Sequence, residues 1–132
     1  MPQTDKKFRN SSVIENNNDL LLDTNMLLAA VQFKAGVLEK NSFTLSSCIE
    51  ELEKISKGKN KDASNARVVL KILEQNKIPV ISTHKKGDAA IMDYAVRSKC
   101  SVATNDKVLI GKLKEKKVKV YRLRQKKMLV EA

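Results

Sequence analysis

Four acidic residues stand where short apolar runs give way to polar sequence: Asp23 in "LLLDTNMLL", Glu51 in "SSCIEELEKI", Asp88 in "GDAAIMDYAV" and Asp106 in "VATNDKVL". A carboxylate beside core-like residues is expensive unless it is paired or binds a cation, and Asp23 lies between two such runs. Carboxylates gathered in one place also repel one another, the more so at reduced dielectric. A divalent cation relieves that repulsion, and an oxygen-only donor set without His or Cys points to Mg²⁺ or Mn²⁺. Each acid has a plainer use as well. An acid in a first helical turn interacts favourably with the helix dipole, by roughly 0.3–1 kcal/mol. Glu50 fits a capping box with Ser47, which leaves Glu51 as the inward member of its pair and Glu53 facing solvent.

The elements that must position these acids alternate in type. Leu20 to Leu22, "SFTLS" (42–46), "IPVIS" (78–82), "SVAT" (101–104) and "VKVYRL" (118–123) read as strands, with Pro79 marking the start of the third. Helical spacing covers 25–34 with Thr24 as N-cap, a segment starting at Ser47 with Ile49, Leu52 and Ile55 as its buried stripe, and 62–76, 88–98 and 106–115. Strands alternating with helices imply right-handed crossovers and a mainly parallel sheet covered on both faces. The expected fold is therefore an α/β three-layer sandwich with about five strands. Ligands of open α/β sheets bind at the carboxyl ends of the strands, where all four acids fall.

Composition sets the wider bounds. The chain has 132 residues, enough for one domain, and 26 basic against 15 acidic residues for a net charge of +11. The excess is concentrated at the end: residues 107–132 carry ten bases against Glu115 and Glu131, a net +8. Such a segment points to a polyanion, with nucleic acid ahead of membrane because no amphipathic helix rich in Trp or Phe accompanies it. The division expected is a polar, flexible lead-in over 1–18, a folded domain over 19–123 and a basic tail over 124–132. Cys48 and Cys100 form no CxxC pair and read as buried or semi-buried thiols of a reducing cytoplasm. No run approaches the roughly 18 apolar residues of a membrane span, and a cytoplasmic location is expected.

The four motifs, in this order and at these spacings, resemble the PIN domain, over about residues 19–123. They are most similar to the branch holding the small-subunit pre-ribosomal-RNA processing nuclease and its short archaeal relatives, and the VapC-type toxins share the same acids. The resemblance implies a metal-dependent endoribonuclease with Asp23, Glu51, Asp88 and Asp106 as its metal-binding and catalytic residues, supported by Asn25 and Thr104. One or two Mg²⁺ or Mn²⁺ ions would activate a water for attack on an RNA phosphodiester, leaving a 5′-phosphate and a 3′-hydroxyl. RNA is the implied substrate, an antitoxin or a ribosome-assembly factor the implied partner, and homodimers are common in the family. Asp93, about 140° around the helix from Asp88, reads as a surface or supporting residue.

Backbone grip falls to Lys85, Lys86, Arg97, Lys107, Arg124, Lys126 and Lys127. With three Phe and two Tyr, stacking on bases contributes little. His84, the single histidine, reads as a loop residue or RNA contact. A receiver domain would need paired acids after the first strand, and a haloacid-dehalogenase-type phosphatase a second acid where Asn25 stands. Four glycines provide no phosphate-cradling loop. The alternative function is a catalytically inactive PIN-like module for RNA binding or assembly, in which a Lys or Arg side chain would fill the acidic pocket.

Overall fold

Adjacent leucines at positions 21 and 22 go to opposite sides of one sheet, as the two-residue period of a strand requires. Leu21 joins a buried cluster with Phe43, Leu45, Ile91, Tyr94, Leu109 and Leu113, whereas Leu22 joins one with Met26, Leu27, Leu52, Val69, Leu73 and Val80. The computed structural model describes residues 9–10, 20–33, 41–126 and 128–132. Its elements run β1 (Arg9–Asn10), β2 (Leu20–Leu22), α1 (Thr24–Gln32), β3 (Ser42–Leu45), α2 (Ser46–Ser56), α3 (Lys61–Gln75), β4 (Pro79–Ile81), α4 (Gly87–Ser98), β5 (Ser101–Ala103), α5 (Lys107–Glu115), β6 (Val120–Arg124) and β7 (Met128–Glu131).

The strands form one sheet in the order β1-β4-β3-β2-β5-β6-β7, parallel throughout except for the β6–β7 pair. Buried residues of α1, α2 and α3 cover one face and those of α4 and α5 the other, which is the three-layer arrangement expected. Phe43 and Tyr94 meet edge to face within the Leu21 cluster, with ring centroids 5.7 Å apart. From β2 the chain moves outward first to β3 and β4, and later to β5 and β6 on the other side. The crevice between β2 and β5 is thus the point where strand order reverses, the place such sheets reserve for ligands.

Both ends differ from the sequence reading. The sheet has seven strands rather than about five, because Arg9–Asn10, inside the expected lead-in, pairs in parallel with Pro79–Val80. The rest of that lead-in, 1–8 and 11–18, lies outside the described residues, as does Lys127. The expected basic tail instead folds back as a hairpin. Gln125 and Lys126 take left-handed backbone, φ 53° and 60°, and β7 then pairs with β6 from Arg124↔Met128 to Tyr121↔Glu131. The N–H of Ala132 donates to the Val120 carbonyl at 2.8 Å, and Leu129 packs against the core. A short strand with both end residues exposed shows no clean alternation to read.

A solvated tail would be dispensable, whereas this hairpin is not. Deleting residues 125–132 is expected to lower unfolding free energy by at least about 2 kcal/mol, from lost ladder bonds and exposure of Leu123 and Tyr121. Urea unfolding followed by circular dichroism checks this, and an unchanged midpoint would restore the tail reading.

Candidate active site

Asp23 leaves β2 and opens α1, so its position on the rim is set by the shortest possible connection. It is the N-cap itself: Oδ1 accepts from the N–H of Met26 at 2.7 Å. Thr24, expected in that role, is instead buried one residue inside the helix and donates its hydroxyl to Glu51 Oε1 at 2.9 Å. The second oxygen of Asp23 accepts from the Thr104 hydroxyl at 2.5 Å. Thr104 is wholly buried at the end of β5, the strand next to β2, and its Oγ1 also accepts from the N–H of Asp106 at 3.1 Å. Asp106 then caps α5, with Oδ1 accepting from Val108 and Leu109 N–H at 2.9 and 3.2 Å.

The expected capping box is absent. α2 begins at Ser46, one residue earlier than expected, so Leu45 occupies the N-cap and has no polar side chain to bond, while Ser46 Oγ accepts from Thr83 N–H at 2.9 Å. That bond ties the start of α2 to the loop carrying His84, Lys85 and Lys86. Glu50 turns out to Lys86, 3.8 Å away. Gly87 opens α4 with φ +60°, and Asp88 follows it.

These elements enclose a pocket of about 140 Å³ to which Asp23, Glu51, Asp88 and Asp106 all contribute, together with Asn25. All four sequence-predicted acids are thus brought to one place. Thr104 lies beneath them, reaching the site through Asp23. Among the described residues no Lys or Arg lines the pocket and none of the four acids makes an ion pair. Burial pushes the Asp23 carboxyl above its ordinary range. The bonds from Thr104 and Met26 pull the other way, and the negative charges of Asp88 and Asp106 raise it further. Burial likewise pushes the Cys48 thiol up, against hydrogen bonds to Thr44, Thr24 and the Leu45 backbone and with the Asp23 charge adding to the rise, so the thiol in the pocket lining is neutral in the metal-free protein.

The donor set therefore fits a hard divalent cation in chemistry and in charge: carboxylate oxygens, mutual repulsion and no protein cation. It is not a closed cage. Among the described residues no three His, Cys, Asp or Glu groups are spaced to hold one ion as they stand. Asp23 is fixed by two donors, while Asp88, Asp106 and Glu51 are exposed at the mouth.

The residues expected to grip RNA are scattered. Lys85 and Arg97 both pair with Asp93, at 3.4 and 3.0 Å, which gives Asp93 its surface role. Lys107 is exposed directly after Asp106, and Arg124 is exposed at the end of β6. Lys126 places Nζ 4.9 Å from the Phe33 ring centroid. Sequence reasoning missed Thr24, Ser46 and Cys48. Thr24 sits 27 residues from its partner Glu51, and the only local signal was a second polar residue after the strand at a position the helix buries.

A three-layer α/β sheet with an acidic crevice at its reversal point defines a class, and the chain belongs to it by sequence: residues 20–126 match the PIN-like domain family. Among individual proteins it is similar to ribonuclease VapC9 of Archaeoglobus fulgidus, 33% identical over 122 residues, covering 84% of this chain and 87% of that one.

Two outcomes follow from the geometry. Because folding raises the Asp23 carboxyl above its unfolded value of about 3.9, the native state binds the proton more tightly. Stability of the metal-free protein then falls as pH rises from about 4 through the folded value. Asp23→Asn keeps an acceptor for Met26 and removes that dependence, so the variant should gain on the wild type as pH rises, read by thermal unfolding in chelator across pH. Gly87→Ala should lose about 1–2 kcal/mol through its left-handed backbone alone, since a Cβ there would meet no atom within 4 Å. Equal stability would show that the loop relaxes to a different φ.

Proposed function

We propose that this chain is a metal-dependent endoribonuclease. The observation that carries the reading is the convergence of Asp23, Glu51, Asp88 and Asp106 on one pocket that, among the described residues, has no Lys or Arg in its lining. The inactive-module alternative called for a basic side chain in that place. Asp23, Asp88 and Asp106, with Glu51 directly or through water, are the residues that would hold Mg²⁺ or Mn²⁺. Bound there, such an ion supplies Lewis acidity toward water and phosphate oxygen.

The chain's own groups do the positioning. Thr104 and the N–H of Met26 hold the Asp23 carboxylate at a fixed angle, so it is pre-oriented and pays little entropy on binding. Thr24 does the same for one oxygen of Glu51 and leaves the other open. Asp106 keeps one oxygen on its helix and the other available. No histidine lines the pocket, so no imidazole is assigned as general base. Preference for RNA over DNA would arise from binding, because this chemistry has no use for the 2′-hydroxyl as nucleophile.

Of the two roles the sequence resemblance left open, likeness to a VapC-type ribonuclease over most of both chains favours that role over pre-ribosomal-RNA processing, and with it a protein antitoxin as partner. Asp23→Asn and Glu51→Gln should each abolish Mn²⁺-dependent cleavage of RNA, by at least about 100-fold, while Glu50→Gln leaves it near wild type. End-group analysis should find 5′-phosphate and 3′-hydroxyl products. Full turnover in Asp23→Asn at saturating Mn²⁺ would refute the assignment.

A further inference from the structure

At the opposite edge of the sheet, where the chain enters β5 and β6, lies a second cleft of about 340 Å³. Ala95, Cys100 and Val118 form its buried floor, and the exposed Lys99, Lys116, Lys117 and Lys119 stand around it. Among the described residues no acid lines it and none of the four lysines makes an ion pair. Lys85, Lys86 and Arg97, by contrast, are all partly neutralised by Asp93 or Glu50.

Helix ends alone do not account for this group. A cation at a helix C-terminus gains roughly 0.3–1 kcal/mol from the dipole. Lys99 and Lys117 hold left-handed backbone at the ends of α4 and α5, φ 58° and 62°, which costs a non-glycine residue about 1–2 kcal/mol. Lys77 takes the same conformation after α3, φ 51°, so left-handed backbone marks helix ends here and does not single out this cleft, but Lys119 lies beyond the helix altogether. Four unpaired charges around one concavity repel each other, solvent and salt weaken that repulsion, and an anion among them relieves it further. The lining offers no aromatic ring for stacking and no Arg, Asn or Gln to read a base edge. It offers point charges, which suit phosphate.

We infer that this cleft binds the phosphate backbone of RNA independently of sequence, away from the acidic pocket, and so holds long substrates. The inference rests on the reading of RNA as substrate. From Cys100 to Asp106 the chain advances six residues, so the two sites are separated by at most about 20 Å along β5 at ~3.3 Å per residue. An RNA too short to span that distance cannot use both.

The test replaces Lys99, Lys116, Lys117 and Lys119 together by Gln in the full chain, with Lys57, Lys59, Lys61 and Lys71 replaced by Gln as a control of equal charge change. All eight are exposed, and circular dichroism confirms folding. Affinity for fluorescent single-stranded RNAs of several sequences is measured against salt, and Mn²⁺-dependent cleavage is measured on a long RNA and on one too short to span the sites. Loss of the cleft should reduce the slope of log affinity against log salt by about 2–3, at roughly 0.7 per contact, equally for every sequence. Cleavage of the short RNA should be unchanged and KM for the long one raised. An unchanged slope, or an equal reduction in the control, overturns the inference. If the slope falls as expected but the wild type cleaves no RNA, the cleft stands and the nuclease reading fails; cleavage with an unchanged slope gives the reverse.

Discussion

A single buried carboxylate organises the rim of this sheet. Asp23 is 9% exposed, and leaving it charged there is tolerable only because both of its oxygens accept hydrogen bonds. One donor belongs to its own helix and the other to Thr104 on the neighbouring strand, and Thr104 in turn receives the N–H of Asp106. The start of α1, the end of β5 and the start of α5 are therefore joined through one side chain. The adjoining Thr24–Glu51 bond extends the network to α2. Strands of three residues supply few ladder bonds, so the carboxyl edge owes much of its geometry to these side chains. Asp88 alone stands outside the network. Its placement comes from Gly87 and from the Ser46–Thr83 bond that anchors the preceding loop.

This organisation explains which features could be read in the sequence. Central strands and helices carry their own periodicity, because alternate or helically spaced apolar residues must reach one of two cores; Leu21 and Leu22 show it in two adjacent positions. The order of the four acids along the chain was legible for the same reason, since each follows a strand. Edge elements were not. β1 has two residues, and β7 follows a basic turn whose left-handed residues are Gln and Lys rather than the Gly or Asn that would announce it.

Capping failed in an instructive way. Asp23 and Thr24 are both good N-cap types, and local sequence cannot choose between neighbours when the decision depends on Thr104 and Glu51, far along the chain. Ser47 and Glu50 satisfy the capping-box pattern, yet the helix starts at Ser46, whose hydroxyl is bonded to Thr83, so Ser47 falls inside the first turn and Glu50 turns out to Lys86. Local motifs are thus weakest where helices begin at a crowded rim, because there the competing partners are tertiary.

Charge is divided between the two edges in a way that net charge conceals. The carboxyl edge concentrates acids that on their own repel a phosphodiester, whereas the amino edge at β5 and β6 concentrates lysines. At an ionic strength of about 0.1 M the Debye length is near 10 Å, so salt weakens whatever the exposed lysines at the far end of the strands contribute at the acidic pocket. Attraction of a polyanion and neutralisation at the reacting phosphate are therefore separate tasks for separate charges. The lysines are placed to attract a polyanion, whereas the repulsion among Asp23, Glu51, Asp88 and Asp106 has to be relieved at the pocket itself, by a proton on Asp23 or by a bound cation. That requirement holds whatever the overall charge of the protein, which is why an acidic pocket and a net charge of +11 occur together without contradiction.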